Sequence, residues 1–447
     1  MSIGDYIKTV MPYWPNWINF ILLKLNIFGP LVYGRSYFKI QKHIDDIPVE
    51  EKLVNLVNYA IEKVPYYKKK YGNTRIKSIE DFETKIGFID KDEVMAHWSD
   101  FVSEDINFNN CVEITTGGTS GKPLRLLVPK NRYIQTFVFL HKELKWFGWK
   151  YDTRGVIRNH HLDGNRDYII NPILKEIIFD AFRMSSKYAI VIHSILKRYN
   201  IHFLHAYPSA AFQFLKYCKN QNLDVSFIKC CMLASEGVTD EQKQFIEEEL
   251  KIKIYSFYGH SEKLIMAGNC PSSSYYHVEE NYGYCELIDD NGKVINTSNK
   301  SGELVGTTLY NRDFPLIRYK TGDYSKYAID QICTEHGDNF KLLDGVEGRW
   351  RKQLIFRKDG STTTTTAMNL HGDFYNHIDG IQYIQEEIGK LTILLIKNDK
   401  YTNNDDLFIK SHAAIAMNDE NATTISYVER LIYQPNGKFL PLISKLY

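Results

Sequence analysis

Short apolar runs alternate with stretches of helical pattern from residue 111 to about residue 330, and this alternation constrains the fold most. The clearest apolar runs are "HFLHAY" at 202–207 and "CCMLAS" at 230–235, and the helical stretch "TDEQKQFIEEEL" follows at 239–250. Thr239 and Asp240 are residue types typical of helix N-caps. Strands that alternate with helices predict an α/β sheet region.

The regions on either side of this alternation follow different patterns. "EEKLVNLVNYAIEKVPYYKKKYG", from Glu50, has apolar residues at helical spacing, and Pro65 should end that helix. After Gly348 a segment of roughly a hundred residues begins, which is short enough for one small, mobile domain. Within it, Thr362–Thr366 suits a strand or an exposed turn. A chain of 447 residues is also too long for one simple core.

Composition limits the partners and the compartment. Lys+Arg number 55 against Asp+Glu 54, so no global positive field recruits nucleic acid. Seven scattered cysteines, without a CxxC pair, and a start that lacks signal-sequence features indicate a reducing cytoplasm. The apolar stretch Trp14–Tyr33 is interrupted by Lys24 and two prolines. It is either a buried amphipathic element or a membrane-surface anchor with Trp14 and Trp17 at the lipid headgroups.

The stretch "ITTGGTSGKP", Ile114–Pro123, has the composition of a phosphate-binding loop. Three glycines free consecutive backbone N–H groups, and four hydroxyls and Lys122 add further donors that can surround a polyphosphate. Its spacing matches neither the NTPase loop nor the dinucleotide G-x-G-x-x-G pattern. Taken alone, a plain surface loop remains an equal alternative.

Four further motifs follow in order: "YGHSE" at 258–262, "RYKTGD" at 318–323, "GR" at 348–349 and "PNGK" at 435–438. In this order, the five motifs resemble those of the adenylate-forming superfamily of acyl-CoA synthetases and adenylation domains. "YAIEKVPYYKKKYG" at 59–72, "IGFIDKDEV" at 86–94, "YPSA" at 207–210 and "SEG" at 235–237 resemble the phenylacetate–CoA ligase branch, and within it the CapK-type proteins.

The resemblance implies a fold and an activity. The fold would be a large, multi-layer α/β domain over 1–348 and a small, mobile α+β domain over 349–447. The activity would be that of an AMP-forming ligase, which uses ATP and Mg²⁺ to activate a carboxylic or amino acid as acyl-AMP with release of pyrophosphate. The acyl group would pass to CoA, or to the amine or hydroxyl of an amino sugar or nucleotide sugar, in surface-polysaccharide biosynthesis. The protein would be cytoplasmic or peripheral at the inner face of the membrane. A catalytically silent nucleotide-binding or scaffold protein is the alternative.

The resemblance also implies roles for individual residues. Tyr258 would lie against adenine, Asp323 would accept hydrogen bonds from both ribose hydroxyls, and Glu262 would be a catalytic Mg²⁺ ligand. Lys438, from the small domain, would bridge the carboxylate and the α-phosphate, with a hinge at Arg351, where the family usually has Asp or Lys. The implied nucleotide contacts are Thr115, Thr116, Gly117, Gly118, Thr119, Ser120, Gly121, catalytic Lys122, Ser235, Glu236, Gly237, Tyr258, Gly259, Ser261, Asp323 and Arg349. Taken singly, each of these residues also fits a core or turn role.

Two further predictions concern a metal and the acid. Some members of the branch hold structural zinc, and two pairs, Cys270/His277 and Cys333/His336, stand at corresponding places with four ligands that suit tetrahedral Zn²⁺. The alternative is buried thiols and surface histidines, and Cys285 and His260 are substitute ligands. The acid pocket should draw on 157–165 and 205–212, where His160 and His161 either contact a carboxylate, line an acceptor channel or form a polar loop.

Overall fold

The protein is described by a computed structural model. The residues it describes are 11–25, 34–116, 124–158, 160, 162, 166–234, 238, 240–329, 331–333, 335–336, 340–347, 354–365, 368, 370, 374, 377–432 and 440–446. Within these ranges, no helix is both long enough and apolar enough to cross a membrane.

Helices cover the N-terminal part of the chain and recur between the strands. They are α1 (Asn16–Lys24), α2 (Gly34–His43), α3 (Val49–Lys63), α4 (Pro65–Tyr71), α5 (Ile79–Lys85), α6 (Lys91–Ala96), α7 (Lys130–Trp146), α8 (Ser186–Arg198), α9 (Pro208–Asn220), α10 (Asp240–Lys243) and α11 (Asn403–Met417). Helix α10 continues as a π-helical turn, Gln244–Glu249.

Strands begin at Cys111. They are β1 (Cys111–Thr115), β2 (Arg125–Pro129), β3 (Arg154–Arg158), β4 (Ile169–Asn171), β5 (Glu176–Asp180), β6 (Phe203–Ala206), β7 (Cys230–Leu233), β8 (Lys253–Gly259), β9 (Met266–Cys270), β10 (Ser273–Val278), β11 (Gly283–Ile288), β12 (Ser301–Thr308), β13 (Tyr319–Tyr327), β14 (Leu342–Glu347), β15 (Leu354–Phe356), β16 (Thr362–Thr364), β17 (Ile378–Gln385), β18 (Leu391–Lys397), β19 (Thr423–Tyr427) and β20 (Leu442–Ser444).

The chain divides into two compact units, of which the first comprises Met1–Lys42, Phe137–Phe257 and Gly268–Ser273. Its strands run in the order β8-β7-β6-β3-β5 as parallel neighbours, and β4 adds an antiparallel edge. The inward faces of α8 and α9 bury Ile192, Leu196, Phe214 and Leu215 in its core. Because the strands are parallel, their carboxyl ends lie at the same edge of the sheet, which is where ligands bind in such folds.

The second unit comprises His43–Thr136, Tyr258–Ala267 and Ser274–Tyr447. Antiparallel strands β11-β12-β13-β14-β10 form its larger sheet. Between Glu303 and Val305 the register of β12 against β13 shifts, so β13 bulges around Thr321–Asp323. Such a bulge redirects the side chains that it carries.

The C-terminal part of the second unit contains a four-stranded mixed sheet in the order β19-β18-β17-β20. Helix α11 begins with a capping box. The Thr402 side chain accepts a hydrogen bond from the Asp405 backbone N–H, and the Asp405 side chain accepts one from the Thr402 backbone N–H. This is the α+β content that was predicted for 349–447. The predicted boundary itself falls at residues 348–353, outside the described ranges, and stays a prediction.

The predicted α/β class is confirmed, together with several local predictions. The runs at 202–207 and 230–235 contain β6 and β7, and Thr362–Thr364 is a strand. Helix α3 ends before Pro65, which then occupies the first position of α4, because its fixed φ and missing N–H suit a helix start. Thr239 lies outside the described residues, and Asp240 is the first residue of α10 rather than its cap.

A buried ion pair fixes the larger sheet of the second unit to the segment before α6. The Arg318 guanidinium donates to both carboxylate oxygens of Glu286, at 2.7 and 3.2 Å, and to the Glu83 and Ile86 carbonyl oxygens. Both side chains of the pair are almost fully buried, at 3% and 1% exposure. A backbone bridge between Ile89 and Tyr319 continues the same connection.

We expect Glu286→Gln to lower the free energy of unfolding by about 3–5 kcal/mol, because it leaves the buried Arg318 charge without its counter-ion. Glu387→Gln is the matched control, since Glu387 pairs with Lys390 at the surface and should contribute little. Urea unfolding of both variants measures the difference. Equal stability of the two variants would show that Glu286 does not stabilise the sheet.

Candidate functional site

Tyr258 and Asp323, which come from two different motifs, form a hydrogen-bonded pair. Tyr258 lies near the end of β8 and Asp323 in the bulge of β13, and the tyrosine hydroxyl donates to Asp323 Oδ2 at 2.9 Å. Both residues are at most 9% exposed. Burial, and then the nearby Asp323 charge, raises the pKa of Tyr258 well above its usual value, so its hydroxyl keeps its proton and donates.

The bulge that carries Asp323 is held by hydrogen bonds around the Thr-Gly-Asp motif. Thr321 Oγ1 donates to the Leu304 carbonyl at 2.7 Å and accepts from the Asp323 N–H at 3.1 Å. Gly322 has φ +73°, a conformation that glycine adopts without strain, and its N–H donates to Glu303. These hydrogen bonds fix the conformation of the motif, in which the Asp323 carboxylate faces Tyr258.

Glu262 is oriented by its neighbour His260, a contact that the sequence prediction missed. His260 Nε2 accepts from the Ile265 N–H at 3.3 Å, so the neutral ring carries its proton on Nδ1, which lies 3.1 Å from Glu262 Oε2. The Tyr319 hydroxyl approaches the other carboxylate oxygen at 3.5 Å. The only available signal was that histidine occupies the variable position of "YGHSE". The carboxylate is a hard oxygen donor, and this donor type suits Mg²⁺.

Thr116 closes the base of the glycine-rich loop. Its N–H donates to the Leu124 carbonyl at 2.9 Å, and its Oγ1 accepts from the Leu124 N–H at 3.0 Å. Thr115 ends β1, which pairs antiparallel with β2 across the loop. The loop residues themselves, 117–123, lie outside the described ranges, as do Ser235–Gly237, Arg349, Arg351 and Lys438, so their predicted roles stay predictions. Gly259 and Ser261 are exposed on either side of His260.

The four predicted cysteine and histidine ligands lie close together. Cys333 Sγ is 3.4 Å from His336 Nδ1, and the centroids of the His277 and His336 rings are 5.2 Å apart. Cys270 completes the set, in which all four ligand atoms lie within 4.8 Å of one another. Gln331 hydrogen-bonds to Leu342 through both its side-chain oxygen and its nitrogen, which fixes the chain just before Cys333.

Two thiols and two imidazoles are the donor set that tetrahedral zinc prefers, so these residues fit a structural Zn²⁺. The alternative ligands do not belong to this set among the described residues: Cys285 is buried in β11, and His260 contacts Glu262. The alternative of scattered surface histidines is wrong for His277, which is fully buried.

The region predicted for the acid lies at the carboxyl ends of parallel strands in the first unit. Arg158 ends β3 and donates to His205 Nε2 on β6 at 2.9 Å, while its guanidinium lies 5.1 Å from the centre of the Tyr207 ring. Burial lowers the pKa of both His205 and His160, and Arg158 lowers each further, so both rings are neutral near pH 7. The predicted segments 157–165 and 205–212 include Arg158 and His205, but the sequence prediction singled out only His160 and His161 and did not identify Arg158 as the cation beside them. His161 lies outside the described residues.

The chain is similar to known proteins in sequence and in fold. No family model matches the chain. Protein CapK of Staphylococcus aureus is 20% identical over 437 residues, which cover 94% of each chain, and phenylacetate-coenzyme A ligase of Thermus thermophilus is 29% identical over 134 residues, 29% of each chain. A structure of 2-hydroxyisobutyryl-CoA ligase with 2-HIB-AMP and CoA, in the thioesterification state, superposes with a TM-score of 0.59 at 15% identity, covering 90% of this chain and 91% of that chain.

A second structure of that ligase, in the postadenylation state, superposes with a TM-score of 0.55 at 15% identity, over 89% of each chain. The predicted resemblance to the phenylacetate–CoA ligase branch and its CapK-type proteins is confirmed by the two sequence relatives, and the superpositions show that the chain has the fold of 2-hydroxyisobutyryl-CoA ligase.

We expect Tyr258→Phe to lower the free energy of unfolding by about 1.5–3 kcal/mol, because the buried Asp323 carboxylate loses a hydrogen-bond donor. Tyr427→Phe removes an equivalent bond to Asp406 from an exposed position and should cost clearly less. Urea unfolding of both variants is the measurement, and a larger loss for Tyr427→Phe would contradict the assigned pairing.

Proposed function

We propose that this chain, which has the fold of the adenylate-forming CoA ligases, is an ATP-dependent, AMP-forming ligase. It activates a carboxylic or amino acid as acyl-AMP, releases pyrophosphate and passes the acyl group on. The observation that carries the proposal is the buried Tyr258–Asp323 pair, which joins two separate sequence motifs, with Glu262 four residues beyond Tyr258. An adenine nucleotide would use an aromatic face for its base, an acceptor for its ribose hydroxyls and a carboxylate for its Mg²⁺ ion.

The first step joins the acid to the nucleotide. An oxygen of the acid attacks the α-phosphorus of ATP, and the bond from that phosphorus to the bridging oxygen breaks, so pyrophosphate leaves with its electron pair. Negative charge grows on the phosphates, and the catalytic task is to stabilise it. Mg²⁺, when bound, neutralises part of this charge.

The residues of the chain divide this task. Asp323 accepts hydrogen bonds from the ribose hydroxyls, and the Tyr258 ring lies against adenine. Glu262, which contacts His260, would be the Mg²⁺ ligand. The loop 115–123, with Lys122, would hold the β- and γ-phosphates, and Arg349 would bind near the ribose and phosphate.

Lys438 supplies the positive charge between the acid and the α-phosphate. It belongs to the small domain, proposed to comprise 349–447 and to move about a hinge at Arg351. Closure of this domain would bring Lys438 to the reacting groups, and reopening would admit the acceptor.

CoA is the acceptor that the neighbouring structures favour, since 2-hydroxyisobutyryl-CoA ligase has been solved with CoA and an acyl-AMP. An amine or hydroxyl of an amino sugar or nucleotide sugar is the second candidate, and it fits the proposed role in surface-polysaccharide biosynthesis. A screen of pyrophosphate release over carboxylic and amino acids, followed by product analysis with each acceptor, separates the two.

The four-residue cluster of Cys270, His277, Cys333 and His336 is proposed to hold structural Zn²⁺. Three of the four residues are buried. An ion bound by all four would join the β9–β10 hairpin, which carries Cys270 and His277, to the segment after β13, which carries Cys333 and His336. Removing it would loosen this connection and lower the stability of the fold.

We expect about one zinc per chain in protein purified without chelators. Cys333→Ser should lose the metal, because a hydroxyl is a poor replacement for a thiolate ligand, and should unfold at a lower temperature. Cys111→Ser, which changes a thiol outside the cluster, is the control and should keep its zinc. Elemental analysis of the three proteins decides, and zinc-free wild-type protein would refute the site.

Lys438→Ala should lower the rate of adenylate formation on the order of a hundredfold to a thousandfold while ATP affinity stays nearly unchanged, because the lysine stabilises charge that appears only in the transition state. Asp323→Ala should instead weaken nucleotide binding first, because the ribose hydroxyls lose their acceptor. Calorimetry with ATP and Mg²⁺ measures affinity, and pyrophosphate release measures the rate.

Lys445→Ala, a surface lysine near the same end of the chain, is the control and should resemble the wild type. Equal loss of ATP affinity in the Lys438 and Asp323 variants would exclude the proposed role of Lys438. Wild-type protein that binds ATP but activates no acid would favour a catalytically silent nucleotide-binding protein, and absence of ATP binding would refute the ligase and favour a scaffold.

A further inference from the structure

We propose that helix α1 and the turn before it form an interfacial surface that binds anionic membranes. This surface, called the α1 face below, consists of large apolar side chains that are solvent-exposed on a helix fixed to the first unit. Its exposed members are Tyr13 (56%), Trp14 (41%), Trp17 (67%), Ile21 (48%) and Leu25 (61%).

The opposite side of α1 is held firmly. Asn19 is fully buried, and its Nδ2 donates to the Met11 carbonyl at 2.8 Å and the Ile170 carbonyl at 3.0 Å. Phe20 packs edge-on against Tyr199, with ring centroids 4.9 Å apart. These contacts fix the orientation of α1 on the first unit, and in this orientation the side chains of the α1 face are exposed.

The exposed side chains have the arrangement of an interfacial helix. Trp17 and Ile21 in α1 and Leu25, the C-cap residue in helical conformation, are spaced by four and therefore lie along one side of the helix. Tyr13 and Trp14 extend this side at its N-terminal end. Tryptophan and tyrosine place an apolar ring and a polar group together at the headgroup level of a bilayer.

Cations border the α1 face and give it charge complementarity to anionic lipid. Lys24 Nζ lies 5.5 Å from the Phe20 ring centre, and the Arg198 guanidinium lies 5.8 Å from that of Tyr199, which Phe20 contacts. Arg166 Nη1 donates to the Tyr13 carbonyl at 3.2 Å. Basic groups beside buried apolar side chains add electrostatic attraction to phosphatidylglycerol-type headgroups. This combination favours a membrane over an apolar protein groove, where the cations would need matching acids.

The test is sedimentation of the full-length protein with vesicles of phosphatidylcholine, with and without phosphatidylglycerol. Wild-type protein should bind the anionic vesicles more strongly, and added salt should weaken this binding because it screens the cations. Trp17→Ser combined with Leu25→Ser should weaken binding at least about tenfold, since two large apolar side chains are lost. Leu407→Ser, at an equally exposed leucine in α11, is the control and should bind as the wild type does.

Lys24→Gln with Arg198→Gln should remove the preference for anionic vesicles while leaving the weaker binding to phosphatidylcholine. The proposal is overturned if the wild type binds neither vesicle, or if the Trp17/Leu25 variant binds as well as the wild type. Concentration-dependent dimerisation that this variant abolishes, without vesicle binding, would instead identify a second copy as the occupant. Pyrophosphate release in solution should be unchanged in all these variants, so the result is separate from that of the proposed ligase activity.

Discussion

The buried Arg318 guanidinium organises the second unit. It lies 4.0 Å from the Phe88 ring centre while it donates to Glu286 and to two carbonyls of the segment before Phe88. Arg318 itself has φ +51°, an unfavourable conformation for a side chain of this size, so these contacts must offset local strain. Burial raises the pKa of Glu286 and the adjacent Arg318 charge opposes that rise, so the pair is stable only while both partners are present.

The position of Asp323 depends on this anchor. Arg318 immediately precedes β13, and the bridge between Ile89 and Tyr319 holds the start of the same strand. Five residues beyond Arg318, the strand bulges and directs Asp323 to Tyr258. The segment "IGFIDKDEV" thus supports the strand that carries Asp323, the proposed ribose acceptor.

Sequence reasoning found what depends on local pattern and on motif chemistry. The strands at 202–207 and 230–235 and the helix before Pro65 followed from short segments, whereas the proximity of the cysteine and histidine pairs was implied by the family resemblance. It missed interactions that depend on tertiary register, such as Arg318 with Glu286, 32 residues earlier. It also left open whether Trp14–Tyr33 is a buried amphipathic element or a membrane-surface anchor, and it did not predict that polar Asn19 is buried while Trp17 is exposed, the reverse of what hydrophobicity alone predicts.

The cost of the buried acids bears on whether the chain is a ligase or a silent scaffold. A carboxylate removed from water is destabilising unless hydrogen bonds or cations replace its hydration, and an apolar residue of similar size is often more stable there. Asp323 and the Glu262 side chain are only 9% and 11% exposed, and each is held by a donor from within the second unit, Tyr258 and His260 respectively. A scaffold gains nothing from two such acids, whereas nucleotide binding requires a ribose acceptor and a metal ligand. The two buried acids therefore favour a nucleotide-binding protein over a scaffold that binds no nucleotide.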